Sequence, residues 1–303
     1  MGRRETTSQK HDKSGNRAPT GLHVSISGGL PRAVERGRER DCEALQIFCG
    51  NPRGWTLTER DEAELHEFRA ACSEAGMSPV IVHACYLVNP CSADEEVRCR
   101  TVKRLRAELE LSARLGADGY VLHPGSARDR PMERCIEQAT DILGRALGEA
   151  SATPPLLLEN TATEHGPGGR LEWLARLADN LASGADAVTI GVCLDTCHLF
   201  AAGHDMRDAA QMSELAEAIG QTVGGDRVRL IHVNDARDTP GSRRDRHEHI
   251  GEGYIGPEGL RNFLLHPALR GTPAILETPW VSPEKDRRNL ASVRRILAHE
   301  VAG

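Results

Sequence analysis

A chain of 303 residues in which 39% of side chains are hydrophobic can build one large barrel-type domain or two small ones. Its apolar runs fall far short of the roughly 20 residues that span a bilayer, which excludes a membrane-crossing helix. A formal net charge of -6 excludes a generally basic surface of the kind that coats nucleic acid, while leaving room for a local positive site.

Residues 1 to 19 (MGRRETTSQKHDKSGNRAP) lack apolar periodicity and read as a disordered tail, and residues 20 to 303 as a single domain. Met1, Gly2 and Thr6 match the myristoylation pattern, but such short matches are frequent by chance and Arg3 and Arg4 follow directly. The nine cysteines are scattered, several within apolar segments, and no apolar signal peptide precedes them. Free thiols in a reducing cytoplasm are therefore expected.

From Gly21 onward, short apolar runs alternate with helical patterns. The predicted strands are Leu22 to Ile26, Ala44 to Phe48, Val80 to His83, Gly119 to Leu122, Pro155 to Leu158, Val188 to Leu194, Val228 to Val233 and Ala274 to Leu276. Ser92 and Glu95 have capping-box spacing, and Val102, Leu105, Leu109 and Ala113 follow at helical intervals as far as Gly116. Pro31, Pro131 and Pro283 suit first-turn positions of further helices. Parallel strands need helical crossovers, so eight strands each followed by a helix predict an α/β fold, a (β/α)8 TIM barrel.

Active sites of such barrels lie at the C-terminal ends of the strands. His83 ends the third predicted strand, His123 the fourth and Glu159 the fifth; Asp195 and His198 follow the sixth, His232 lies in the seventh, and Glu277 ends the eighth. The loop after the seventh strand adds Asp245 and His247, whose i, i+2 spacing on an extended segment points both side chains the same way. Carboxylates mixed with imidazoles favour zinc or manganese over an iron-sulfur cluster. Nine candidate ligands are too many for one ion and suit two or three that share a carboxylate. Asp195 and His198 leave the strand in different directions, as neighbouring ions would require.

Three blocks carry a family resemblance. They are Gly191-Val-Cys-Leu-Asp-Thr-Cys-His198, the His83-x-x-Tyr-Leu-x-Asn89 segment, and Ile231 to His247 (IHVNDARDTPGSRRDRH). From about Gly21 to the C-terminus the chain resembles endonuclease IV, the zinc-dependent apurinic/apyrimidinic endonuclease family of DNA base-excision repair. The resemblance implies one zinc on His83, His123 and Glu159, and a second on Glu159, Asp195, His232 and Glu277. The third would take His198, Asp245 and His247. His23 and Asn234 would be positioning residues. Three dications against four carboxylates leave about two surplus positive charges, enough to draw a phosphodiester into an otherwise acidic protein. The ions would supply hydroxide for in-line attack on phosphorus, with Glu159 organising it.

By resemblance, the bond cut lies 5' to an abasic sugar in double-stranded DNA, leaving a 3'-hydroxyl and a 5'-deoxyribose phosphate, and blocked 3' ends are trimmed. Tyr86 and Leu87 match the family's wedge residues, and Arg53 in Asn-Pro-Arg-Gly-Trp55 the residue that fills the gap in the base stack. A cytoplasmic monomer without membrane partners is expected. Val88, Pro90, Gly54, Gly50 and Arg237 depart from the usual family pattern, mostly in DNA-binding loops.

Other signals lead elsewhere. Gly251-Glu-Gly-Tyr-Ile-Gly256 spells the dinucleotide fingerprint but follows the Asp245 to His247 loop rather than a first strand, so it reads as a turn. His165, His204, His249 and His266 lack strand-end positions and read as surface or capping residues. Cys197 reads as a buried thiol, without a base to make it a nucleophile. Two other functions compete with the leading one. A sugar isomerase or epimerase would use the same barrel but only one or two ions, and a non-catalytic DNA-binding protein would need no full ligand set.

Overall fold

The computed structural model describes residues 17–128, 130–184 and 188–298. Its apolar runs become β1 (Thr20–His23), β2 (Ala44–Phe48), β3 (Val80–His83), β4 (Gly119–Leu122), β5 (Leu156–Glu159), β6 (Ile190–Asp195) and β7 (Val228–His232). Two short strands, β8 (Asp235–Ala236) and β9 (His247–Glu248), precede the last barrel strand, β10 (Ala274–Leu276). Strands β1 to β7 and β10 pair in parallel, and β10 closes the ring against β1, so the expected TIM barrel is present.

The outer ring is α1 (Leu30–Glu39), α2 (Glu62–Glu74), α3 (Glu95–Arg114), α4 (Met132–Glu149), α5 (Leu171–Gly184), α7 (Ala209–Gln221), α8 (Gly256–Leu264) and α9 (Pro283–Ala298). A short α6 (Thr196–Ala202) caps β6 before α7, and the β8-β9 ribbon intervenes between β7 and α8. Both additions lie beside the expected site.

Strand parity decides what fills the barrel. Leu45 and Ile47 of β2, like Leu156 and Leu158 of β5, join the large core between sheet and helices. Alternate positions form a separate inner cluster of Ala44, Ile81, Val121, Leu157, Cys193, Leu230 and Ile275. At the same level β1 carries Gly21, where a Cβ would lie 1.9 Å from the Ala44 carbonyl oxygen, so only glycine lets these strands pair. Each fully buried leucine in these cores contributes about 1.5–3 kcal/mol.

Two residues further along each strand, the side chains again face the interior. They are His23, Gln46, His83, His123, Glu159, Asp195, His232 and Glu277. An apolar plug thus supports a layer that is polar on all eight strands.

Several boundaries differ from expectation. β1 starts at Thr20, which pairs with Ala274, and ends at His23, three residues before the predicted Ile26. β5 and β6 extend through Glu159 and Asp195, because pairing with the next strand continues to those residues. The N-cap of α3 is Asp94 rather than Ser92: its carboxylate accepts the N–H groups of Glu96 and Val97, while Ser92 Oγ accepts that of Asp94. Pro131 stands one position earlier than expected, as N-cap of α4, whereas Pro31 falls in the first turn of α1 and Pro283 begins α9. Most of the expected tail, with the Met1, Gly2 and Thr6 match, lies outside the described residues. Ala18 is buried and the Pro19 carbonyl accepts Ala274 N–H, so the end of that segment belongs to the barrel.

Candidate metal centre

Glu159 stands fully buried at the end of β5, at the middle of the polar layer. Its Oε2 lies 3.3 Å from His83 Nε2 and 3.1 Å from His123 Nε2, and its Oε1 lies 3.0 Å from His232 Nδ1. His232 Nδ1 is also 3.3 Å from Glu277 Oε2. Three groups of donor atoms each fall within 4.8 Å of one another: His83, His123 and Glu159; Glu159, Asp195, His232 and Glu277; and His198, Asp245 and His247. All nine side chains singled out in the sequence therefore meet at one end of the barrel.

The third group depends on the two additions to the fold. Asp195 caps α6 by accepting the His198 N–H at 2.8 Å, which sets His198 one turn from the strand end. The β8-β9 ribbon folds residues 237–246 back toward the mouth, and the Gly241 and Arg243 N–H groups bond to the carbonyls of Phe200 and Ala201 in α6. Asp245 and His247 are thereby held against His198, with Asp245 Oδ1 at 3.1 Å from His198 Nε2 and 3.2 Å from His247 Nε2.

Four of the five imidazoles are fixed by a bond from the other nitrogen. His83 Nδ1 donates to the Ala84 carbonyl at 2.8 Å, His198 Nδ1 to that of Asn160 at 2.9 Å, and His247 Nδ1 to that of Glu277 at 3.1 Å. His232 does the reverse, donating from Nε2 to Gln46 Oε1 at 2.9 Å. The remaining nitrogen of each of these rings faces the carboxylates, the arrangement typical of metal-ligating histidines. His198 Nε2 and His247 Nε2 are buried and make no hydrogen bond among the described residues.

The electrostatics agree. Burial opposes ionisation of Glu159, yet the His232 and His123 rings hold its carboxyl well below the usual carboxylate range. His232 and His23 do the same for Glu277, and His198 and His247 for Asp245. Burial alone would discharge the histidines, but Asp195 and Asp245 lift His247 to about 9, and Asp195 with Asp245 raises His198. Carboxylates kept ionised in a buried cup require compensating positive charge, from protons or from cations.

Positioning groups surround the donors. Asn234 Nδ2 donates to Asp195 Oδ2 at 2.6 Å and its Oδ1 accepts the Glu277 N–H at 2.8 Å, so one amide orients two carboxylate residues. His23 Nδ1 lies 3.2 Å from Glu277 Oε1. The sequence reading missed Gln46 and Asn160. Gln46 donates to Glu277 Oε1 at 2.7 Å while accepting from His232, and Asn160 Oδ1 accepts the Asp195 N–H at 2.7 Å. A lone amide in the apolar run Ala44 to Phe48, on the same parity as the inner cluster, was the available signal for Gln46.

Two thiols also fall within donor range, Cys193 beside Glu159 and His232, and Cys197 beside Asp195 and His247. Burial pushes the Cys193 thiol up to about 12 and Cys197 higher still. Only thiolates are effective ligands or nucleophiles, so carboxylates and imidazoles are the ready donors here.

Two adjoining clefts of about 230 and 270 Å³ open over the centre and share Tyr86, His123, His198 and Asp245. Tyr86 is 61% exposed and Arg53 is exposed, whereas Leu87 is half-buried against the core. Val88 and Pro90 are buried beneath them, and Arg237 pairs with Glu248 at 3.0 Å.

The decoys resolve by contact. The fully buried Asp235 accepts N–H bonds from Gly251, Gly253, Ile255 and Gly256, so that glycine run is a turn into α8. His249 is buried rather than exposed, because Asn289 bonds its Nδ1 at 3.1 Å. His165 is exposed, and His204 and His266 are partly exposed.

Residues 34–297 match the family model of the xylose isomerase-like TIM barrel, and the fold and donor layer define a protein of that class. A D-tagatose 3-epimerase-like protein shares the barrel, with a TM-score of 0.67 over 93% of this chain and all of that one, but at 20% identity the likeness concerns the fold alone. A protein of Methanoculleus marisnigri named probable endonuclease 4 is 41% identical over 279 residues, 91% of this chain and 98% of that protein. The crystal structure of endonuclease IV from Thermus thermophilus has a TM-score of 0.81 at 37% identity, covering 93% of this chain and 99% of that one. The chain belongs to the endonuclease IV family.

Proposed function

We propose that the protein is a metal-dependent apurinic/apyrimidinic endonuclease of DNA repair. It hydrolyses the phosphodiester 5' to an abasic site, leaving a 3'-hydroxyl and a 5'-deoxyribose phosphate, and trims blocked 3' ends. The observation that carries this reading is the pair of donor groups that meet on Glu159 with His198, Asp245 and His247 as a third group beside them. A one- or two-ion sugar isomerase would have no use for that third group.

His83, His123 and Glu159 would hold one ion, Glu159, Asp195, His232 and Glu277 a second, and His198, Asp245 and His247 a third. The buried, unbonded Nε2 atoms of His198 and His247, each aimed with Asp245 at a common point, fit such a role. Zinc suits this donor set, and manganese is the alternative. When bound, such ions lower the pKa of water to near neutrality and stabilise charge on phosphoryl oxygens.

The chain's own groups do the rest. Glu159 spans two donor groups and fixes their separation. Gln46, His23, Asn160 and Asn234 hold the carboxylates and imidazoles in one orientation before substrate arrives, so little reorganisation is left for the transition state. Tyr86 and Leu87 would enter the base stack, with Arg53 filling the gap. Unstacking costs a few kcal/mol per step and least where a base is already missing, so damage selectivity would come from deformability. The reading includes a monomer working in the cytoplasm.

The test is incubation of purified protein with a duplex carrying one abasic site, before and after prolonged chelation. Incision 5' to the lesion that disappears on chelation and returns with zinc is expected. No incision by protein with all its donor groups filled would end the proposal.

A further inference from the structure

Helix α3 lies outside the barrel, yet one of its stripes reaches the rim that carries Arg53 and Tyr86. Arg100, Arg104 and Glu108 recur at four-residue spacing and so share a helix face. The Arg100 guanidinium lies 5.9 Å from the centroid of Trp55, in the loop of Arg53. Arg104 gives Nε and Nη2 to Glu108 Oε1 at 2.9 and 2.7 Å, and Nη2 also reaches the Asn51 carbonyl at 3.5 Å. The second Glu108 oxygen accepts the Tyr120 hydroxyl at 2.6 Å and the backbone N–H of Cys85 at 3.3 Å. Asn51 precedes Arg53 by two residues, and Cys85 adjoins Tyr86.

This pair is a costly way to fill space. Arg104 and Glu108 are 2% and 1% exposed, and Arg104 Nη1 makes no hydrogen bond among the described residues. Apolar side chains would fill the same volume without burying two charges. What they could not do is bond the backbones of two loops at fixed points. The loops are themselves joined, Tyr86 N–H to the Pro52 carbonyl at 2.9 Å, and Thr101 of α3 accepts the Asn89 N–H at 3.1 Å. Position 50 fits the same picture. A Cβ on Gly50 would lie 2.6 Å from Leu57 Cδ1 and 3.2 Å from Arg104 Nη2, so this chain's departure there lets the loop rest on the guanidinium.

We propose that the buried Arg104–Glu108 pair is a positioning device for lesion recognition, setting the spacing between the loop that bears Arg53 and the loop that bears Tyr86 and Leu87. This rests on the proposed DNA reading of those three residues. The pair touches no donor atom of the metal centre, so it acts on substrate engagement and not on the chemical step.

The test uses full-length, zinc-loaded protein and compares Glu108→Gln with the double variant Arg104→Met/Glu108→Leu, which replaces the pair with apolar side chains of similar size. Both are expected to keep wild-type zinc content and kcat within about threefold, while KM for abasic duplex rises about tenfold or more, as misplaced contacts of this kind do. Amide exchange at residues 50–55 and 84–89 should accelerate in both. The double variant leaves the buried Tyr120 hydroxyl without its acceptor and should melt a few degrees lower; a raised KM at an assay temperature well below that melting point is what a role in stability alone would not produce. If it is fully folded at the assay temperature with KM and exchange unchanged, the proposal is overturned. Should it fail to fold, Arg104→Lys, which keeps the charge and loses the fork, takes its place: raised KM with faster exchange supports the proposal, and wild-type values of both overturn it. Accelerated exchange in variants of a protein that neither binds nor cuts abasic duplex would sustain the loop-positioning role and defeat only the DNA reading.

Discussion

The floor of the site and its rim are built on different principles. Glu159, Asp195 and His232 sit at strand ends, fully buried, and their places follow from sheet register and the two-residue repeat of the strands. Tyr86 and Arg53 stand exposed on loops, and their places follow from individual hydrogen bonds, several of them from α3. The floor is therefore rigid by construction and the rim only as rigid as its ties. On the proposed reading a nuclease would gain from this division, because the chemistry needs fixed donors while recognition needs side chains that can enter a deformed duplex.

The sharpest way to break the comparison is at Glu159, which belongs wholly to the floor. Glu159→Gln should lower kcat by about 10³-fold, equivalent to about 4 kcal/mol, while affinity for abasic duplex stays within a few-fold. Equal losses in incision and in a gel-shift titration would show that floor and rim are not separable. Gln46→Leu comes next: loss of the groups that hold His232 and Glu277 should weaken metal affinity about 10–100-fold, measured by competition with a chromophoric chelator. Unchanged affinity would remove Gln46 from the site.

On the rim, Tyr86→Ala should weaken lesion binding about tenfold, about 1.4 kcal/mol, with metal content unaltered by elemental analysis. Loss of metal would instead place Tyr86 in the floor. The smallest effect is chemical labelling. Eight of the nine cysteines are buried, among them Cys193 and Cys197 beside the donors, so native alkylation should modify Cys99 alone and leave activity intact. Rapid labelling of Cys197, read by mass spectrometry, would mean that the floor opens in solution.

How much of this was legible in the sequence follows the same division. Strands β2, β3, β4 and β10 were readable to the residue, because short, mainly apolar runs bounded by turn signals have one natural limit. β1 slipped because Thr20, a polar residue, pairs with β10, and nothing local says that its partner is Ala274, near the other end of the chain. Seven of the nine donor side chains were legible from positions in or at the ends of strands, and Asp245 and His247 from their i, i+2 spacing in the loop after the seventh. Gln46 was not, since an amide is ambiguous until the parity of the barrel interior is known. His249 looked like a surface residue until Asn289, distant in the chain, was seen to bond it.

The sequence by itself determined the barrel, the face that carries the site and the residue types gathered there, because strand periodicity and helical crossovers are local properties that a chain cannot hide. Only the tertiary structure decided which nitrogen of His83, His198, His232 and His247 is held by an oxygen outside the carboxylates and which faces them, and that an outer helix reaches two rim loops through Arg104 and Glu108. Those facts arise from contacts between segments far apart in the chain, and they exist only once the ring of strands has closed.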